Sequence, residues 1–149
     1  MEGLAAERAA VLGSETDLRV IDTIFRKMEA AHQKRDPTDE AQLDAAFHMA
    51  IIEASHNVIM LHMLRSMFDL LRDGVFYNRQ VMFRNRITRE QLLDQHRAMN
   101  QAVQARDPAA ARAAVAAHLT YVEKAFVDQI RTEKHEIIAR QKLEQEANR

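Results

Sequence analysis

Two residues of this sequence combine metal-binding side chains with a spacing that brings them together. Asp44 and His48 stand four positions apart, so on a helix they project from the same face, one turn apart. Their neighbours are mainly apolar, and an ionised aspartate beside a histidine in such surroundings is costly unless something compensates both. A divalent cation would compensate them, and a simple buried ion pair between the two side chains is the alternative.

Two more histidines have the same inward setting on other predicted helices. His96 shares a helix face with Leu92 and Met99, and His118 shares another with Val115. Facing helices of a bundle commonly build metal sites from such side chains. Imidazole and carboxylate without thiolate suit zinc, nickel, manganese, iron or cobalt. A hydrogen-bonded polar network in the core remains open, because spacing alone does not show that the helices converge.

An arginine-rich run over residues 77–86 is a candidate for binding an anion. Arg79, Arg84 and Arg86 fall within eight residues at the end of a predicted helix that begins with apolar residues. Such an end is commonly solvated. A single guanidinium turned inward would instead form a fork that matches a carboxylate.

Motifs of catalysis are missing from the sequence. It contains no glycine-rich phosphate loop, no nucleophile elbow and no His-Glu-x-x-His pattern. Ser14, Ser55 and Ser66 have no evident base beside them. We therefore predict that the chain is not an enzyme and has no catalytic residues.

The composition excludes several classes of protein. The 149 residues contain no cysteine, which rules out disulfides and thiolate ligands, and only three glycines and two prolines, which favours few, long helices. A formal net charge of −1 makes the chain a poor candidate for gripping nucleic acid. The longest apolar run, residues 113–117, falls far short of the roughly 20 residues of a membrane span, and no signal peptide is evident. We expect a cytoplasmic protein with no membrane contact.

Periodicity and capping residues predict about six helices. The second carries Leu18, Ile21 and Phe25 as an apolar stripe, and Asp107-Pro108 is a clear helix start. The predicted boundaries are a first helix ending at Gly13, a second capped by Ser14 or Thr16, a third capped by Thr38 or Asp39 and ending near Ser55, a fourth running from Asn57 toward Arg84, a fifth capped by Thr88 and a sixth from Pro108. We predict an all-α antiparallel bundle with the metal site inside. Residues 1–149 form one domain in this prediction, with the bundle reaching about residue 130 and a polar helical tail over 131–149.

The stretch from Asp44 to Asn57, with Phe47-His48 and Glu53-Ala-Ser-His-Asn within it, resembles the signature of the FCD effector domain. That domain is the C-terminal half of FadR-type transcription factors in the GntR superfamily. Gln95-His96-Arg97-Ala98, Asp107-Pro108 and Ala117-His118-Leu119 resemble the second half of the signature, so the likeness covers essentially the whole chain. It implies that Asp44, His48, His96 and His118 hold a divalent metal, with zinc as the first choice and nickel or manganese as alternatives.

Within the family, the stretches 50–62 and 77–80 look most like the regulators that respond to lactate and pyruvate. The resemblance implies a small carboxylate effector such as lactate, pyruvate or glycolate, bound near or on the metal. It implies that Arg79 is the partner of the effector carboxylate and makes Asn57, His62 and Tyr77 further candidates for the pocket. A homodimer is also implied.

Two departures from the family pattern concern the start of the chain. No part of the sequence corresponds to the N-terminal winged helix-turn-helix that binds operator DNA, and an arginine usual just before the residues matching Met1-Glu2 is absent. The chain also begins within helix-forming sequence, which is typical of a fragment. We expect the effector-sensing and dimerisation domain of a bacterial regulator whose operator contact lies in a missing segment. A metal-dependent enzyme acting on a small organic acid and a purely structural bundle are the alternatives.

Overall fold

Six α-helices and no strands make up the computed structural model, which describes residues 1–149. The helices are α1 (Glu2–Leu12), α2 (Glu15–Lys34), α3 (Pro37–Ala54), α4 (Val58–Arg84), α5 (Arg86–Gln104) and α6 (Pro108–Ala147). This confirms the predicted all-α class and the number of helices. By its internal contacts the chain divides into two units, Met1–His118 and Leu119–Arg149.

Three helix starts agree with the prediction. The Ser14 hydroxyl accepts a hydrogen bond from the backbone N–H of Asp17, whose carboxylate accepts one from the N–H of Ser14, so the two residues form a capping box. Asn57 caps α4, and the Asp107 carboxylate accepts from the N–H of Ala110 at the start of α6.

Two other helix starts differ from the prediction by a few residues. Asp36, and neither Thr38 nor Asp39, caps α3, and its carboxylate accepts from the backbone N–H groups of both those residues. The proline at the first helical position has no N–H to satisfy, so the cap must lie directly before it. Asn85 caps α5 in place of Thr88, since the chain re-enters a helix at once after α4.

The core of the unit Met1–His118 lies around α3, which packs against α1, α2 and α4. Phe47 is fully buried, with its ring centroid 6.3 Å from that of Phe25 on α2. From α1, the buried side chains are all alanines, which allows a close approach to its neighbours. The central helix therefore carries its polar residues into the interior along with its apolar ones.

The unit Leu119–Arg149 is the continuation of α6 to Ala147. From Arg131 onward every side chain is exposed. None of the six helices combines the length with the apolar character that crossing a bilayer requires.

Candidate metal centre

The four predicted ligand residues meet in the interior of the unit Met1–His118. Asp44 and His48 come from α3, His96 from α5 and His118 from the early part of α6, and all four are buried. One potential ligand atom from each lies within 4.8 Å of the others. Three helices thus converge on one point, which spacing alone could not show and which a shared metal site requires.

The distances among these atoms are those of a coordination shell. The Nε2 atoms of His96 and His48 lie 2.9 and 3.2 Å from Asp44 Oδ1, and 3.3 Å from each other. Around a zinc ion with bonds of about 2.0–2.2 Å, neighbouring ligand atoms are roughly 3.0–3.5 Å apart. These three residues therefore fit a divalent ion with little movement of their side chains.

Two of the inward-facing atoms have no hydrogen-bond partner. Asp44 Oδ1 and His118 Nε2 are both buried, and neither receives a hydrogen bond of acceptable geometry. Buried polar atoms are satisfied in the great majority of cases, and an unpaired one needs an explanation. A bound cation would supply it, because both atoms offer a lone pair toward the same small volume.

Charges within the cluster set its protonation state. Burial raises the pKa of Asp44, but the Arg79 guanidinium and the imidazole nitrogens of His48 and His96 close to its carboxylate outweigh it and hold that pKa well below its usual value. Burial lowers the pKa of His48, yet the negatively charged carboxylates of Asp44 and Glu2 beside the ring raise it to about 9. The aspartate is therefore ionised, and His48 is the doubly protonated, positively charged imidazolium near neutral pH.

The other two histidines are held neutral. Burial lowers the pKa of His96, and the nearby Asp44 carboxylate only partly offsets this effect. Burial, together with the electrostatic effect of the neighbouring His96 and His48 rings, lowers the pKa of His118. Neutral imidazole is the form that binds a metal, so these two rings are ready as ligands.

Three side chains contact the outer atoms of the ligand residues. The Arg79 Nε donates to Asp44 Oδ2 at 2.6 Å, His118 Nδ1 lies 2.8 Å from Gln95 Oε1, and His48 Nδ1 lies 3.4 Å from Glu2 Oε2. Such outer contacts orient metal ligands and fix the tautomer of a histidine. Gln95 and Glu2 were not predicted from the sequence to have a functional role, and the position of Gln95 beside His96 is the only signal that could have drawn attention to it.

Arg79 is buried, as a carboxylate-binding arginine would be, but its observed partners are protein groups. Besides Asp44, it lies 3.3 Å from Asn78 Oδ1 through Nη1. Its role toward an effector stays a prediction. So do those of Asn57, whose side chain caps α4, and of His62 and Tyr77, whose side chains are exposed.

A second buried ion pair lies one turn before Asp44 on α3. The Arg89 Nε donates to both oxygens of Glu40, at 2.9 and 3.0 Å, and its Nη2 donates to the backbone oxygen of His32. His32 itself is half-buried, although its neighbours in sequence are strongly charged. Its charged sequence neighbours face outward, while the ring lines a cavity of about 10 Å³ beside His96. That volume admits one water molecule.

Comparison with known proteins identifies relatives among transcription regulators. The sequence model of the FCD domain matches residues 1–121. The chain is 36% identical over 141 residues to the Glc operon transcriptional activator of Escherichia coli (strain K12), covering 93% of this chain and 55% of that protein. It is 37% identical over 122 residues to the "Putative L-lactate dehydrogenase operon regulatory protein" of the same strain, covering 82% of this chain and 46% of that protein. The chain thus spans about half the length of these relatives.

A solved structure shares the fold. Escherichia coli McbR/YncC superposes with a TM-score of 0.71 at 19% identity, covering 85% of this chain and 63% of that one. The sequence relatives are regulators of transcription and not enzymes, in agreement with the predicted absence of an enzymatic function. The match over residues 1–121 and these identities show that the chain belongs to the FCD family, the effector-binding domains of GntR-type transcription regulators.

Proposed function

We propose that this domain senses a small carboxylate through a divalent metal held by Asp44, His48, His96 and His118. Zinc is the first candidate, with nickel or manganese as alternatives. The observation that carries the proposal is the buried convergence of these four ligand atoms within 4.8 Å, two of them without a hydrogen-bond partner. When bound, the ion would supply a Lewis-acid centre with open positions for an effector oxygen.

The charge balance of the cluster favours an effector with one negative charge. Asp44 and Glu2 contribute two negative charges, and Arg79 contributes one positive charge. With a divalent ion and neutral histidines, the site carries one net positive charge. A monocarboxylate such as lactate, pyruvate or glycolate would neutralise it, whereas a neutral sugar or a dicarboxylate would not.

The names of the relatives support the same class of effector. One matched protein is named for the L-lactate dehydrogenase operon. Since the chain spans about half of these regulators, we assign operator DNA binding to a segment outside it. We assign signalling to a shift of this domain between two packings of its helices. The effector must bind the two packings with different affinity, or nothing is transmitted. The full protein would act in the cytoplasm.

Self-association is a further part of the proposal, and α4 supplies a surface for it. Ile59, Met63, Met67, Leu70 and Leu71 lie on one face of α4 and are all exposed. Exposed apolar stripes of this length mark interaction surfaces. We expect a homodimer through this face. Leu70→Glu should convert it to a monomer in light scattering, while Arg72→Glu on the same helix should not.

Metal content and thermal melting test the proposal directly. The purified chain should contain about one metal ion per molecule, and the His96→Ala/His118→Ala variant should contain none. Addition of lactate, pyruvate or glycolate should raise the melting temperature of the metal-loaded chain and leave the variant unchanged. His135→Ala, which changes an exposed histidine far along α6 to which no role is assigned, is the control.

A chain that stays metal-free after incubation with zinc, nickel and manganese would contradict the sensor. It would leave the polar core network as the role of the cluster. Consumption of the acid by the metal-loaded chain would instead favour an enzyme.

A further inference from the structure

We infer that Gln95 is a positioning residue that commits His118 to bind metal through Nε2. The inference rests on the metal site proposed above and concerns a residue to which no role has been assigned. Gln95 precedes the ligand His96 on α5, so one helical turn supplies a metal ligand and the support of another ligand.

The contact between Gln95 and His118 determines which nitrogen carries the proton. His118 Nδ1 lies 2.8 Å from the side-chain oxygen of Gln95, and that oxygen can only accept a hydrogen bond. His118 Nδ1 must therefore be the donor. A neutral imidazole has a single N–H, so Nε2 is left with a free lone pair.

That lone pair is placed where a cation is expected. His118 Nε2 is buried and has no hydrogen-bond partner. The ring centroid of His118 lies 4.7 Å from that of His96 and 5.0 Å from that of His48, so the three rings enclose one point. Without Gln95 the proton could move to Nε2 and block the site, because no other contact fixes the Nδ1 atom of His118.

The three histidines differ in this outer support. His48 Nδ1 faces the carboxylate of Glu2, His118 Nδ1 faces the neutral amide of Gln95, and His96 Nδ1 is buried without a partner. Only Gln95 makes a contact of normal hydrogen-bond length. Loss of the Gln95 contact should therefore weaken metal binding more than loss of the Glu2 contact.

Three variants test this role by their affinity for Zn²⁺ in competition with a chromophoric chelator. Gln95→Met keeps the length of the side chain and removes the acceptor, and should weaken binding about 10- to 100-fold. Gln95→Glu restores an acceptor and should stay within about threefold of the natural chain. Gln91→Met, which changes an exposed glutamine one turn earlier on the same helix, is the matched control. Equal affinities of Gln95→Met and the natural chain, or an equal loss in Gln95→Glu, would overturn the inference.

A second measurement separates failure of this inference from failure of the metal site. Long-range ¹H–¹⁵N spectra of the metal-free chain report the tautomer of each histidine. His118 should carry its proton on Nδ1, and Gln95→Met should lose that preference while its melting temperature stays close to the original. A proton on Nε2 in the natural chain would overturn the role of Gln95 even if Zn²⁺ binds. Absence of Zn²⁺ binding with the proton on Nδ1 would refute the metal site and support the role of Gln95 in fixing the tautomer.

Discussion

Two buried carboxylates lie one helical turn apart on α3, and they are satisfied to different degrees. Glu40 receives Arg89 at both of its oxygens, and the same guanidinium reaches the backbone of His32. Asp44 receives Arg79 on Oδ2 alone, and its Oδ1 faces imidazole nitrogens without a hydrogen bond of acceptable geometry. Helix, burial and arginine partner are alike at the two positions, so the difference lies in what remains unpaired.

The comparison separates a structural ion pair from a site built for a ligand. Each oxygen of the Glu40 carboxylate accepts a hydrogen bond from Arg89, and buried charges are usually paired in this way. Around Asp44, Arg79 donates to Oδ2, while Asp44 Oδ1 and His118 Nε2 are left without a hydrogen bond. Buried charge by itself therefore says little about function, whereas unpaired buried acceptors that face one another point to a missing cation.

The largest expected effect is on stability at the structural pair. Arg89→Met should lower the free energy of unfolding by about 3–5 kcal/mol, because Glu40 would be left as an uncompensated buried charge. Urea unfolding would measure the loss. The double variant Glu40→Met/Arg89→Met should recover much of it, and both variants should still bind metal. A loss of less than about 1 kcal/mol would mean that water reaches Glu40 once Arg89 is removed.

Replacing Asp44 or Glu40 by its amide should change the affinity for metal very differently, more so than it changes the stability of the fold. Asp44→Asn should weaken Zn²⁺ binding by more than about 100-fold, since even the loss of an outer contact costs roughly 10- to 100-fold. Glu40→Gln should change it by less than about threefold. Competition with a chelator measures both. Similar losses of affinity in the two variants would mean that Glu40 and Asp44 contribute equally to metal binding.

The dependence of metal binding on pH is the smallest effect and concerns His48. Its pKa is raised to about 9 in the metal-free chain, so the ring carries a proton at neutral pH that a metal must displace. The affinity for Zn²⁺ should therefore rise by about tenfold per pH unit from pH 7 and level off above pH 9. His96 and His118, whose pKa values are lowered, add nothing over this range.

The proton itself can be counted. Calorimetry in buffers of different ionisation enthalpy should find about one proton released per Zn²⁺ near pH 7.5. Binding that is independent of pH between 7 and 8.5 would show that His48 is already neutral or lies outside the coordination shell.

Residue patterns along the chain were enough to predict the helices and to name the four residues of the buried cluster. The spacing of Asp44 and His48 and the inward settings of His96 and His118 are local properties of single helices, so they can be read from the sequence. Their convergence was supported by resemblance and is now observed. The partners were out of reach: Arg79 contacting Asp44, and Gln95 contacting His118, depend on the distance between helices, which periodicity does not encode.

Helix starts show the same limit on a smaller scale. Thr38 and Asp39 are both acceptable caps, and Asp36 was chosen because the proline after it leaves no other geometry. The cap of α3 is therefore determined by its position directly before a proline, since all three candidate residues have side chains that can cap a helix. His32 shows a related limit, since its charged neighbours in sequence face solvent while its own ring lies half-buried.

The depth of the cluster has a kinetic consequence. Asp44, His48, His96 and His118 expose between 0% and 7% of their surface, so an ion cannot reach or leave them through the closed packing. Exchange must wait for a local opening of the helices. A strong chelator should therefore strip the domain at a rate that becomes independent of chelator concentration. The metal would be retained through each cycle of effector binding as a resident part of the protein and would not serve as a signal that comes and goes.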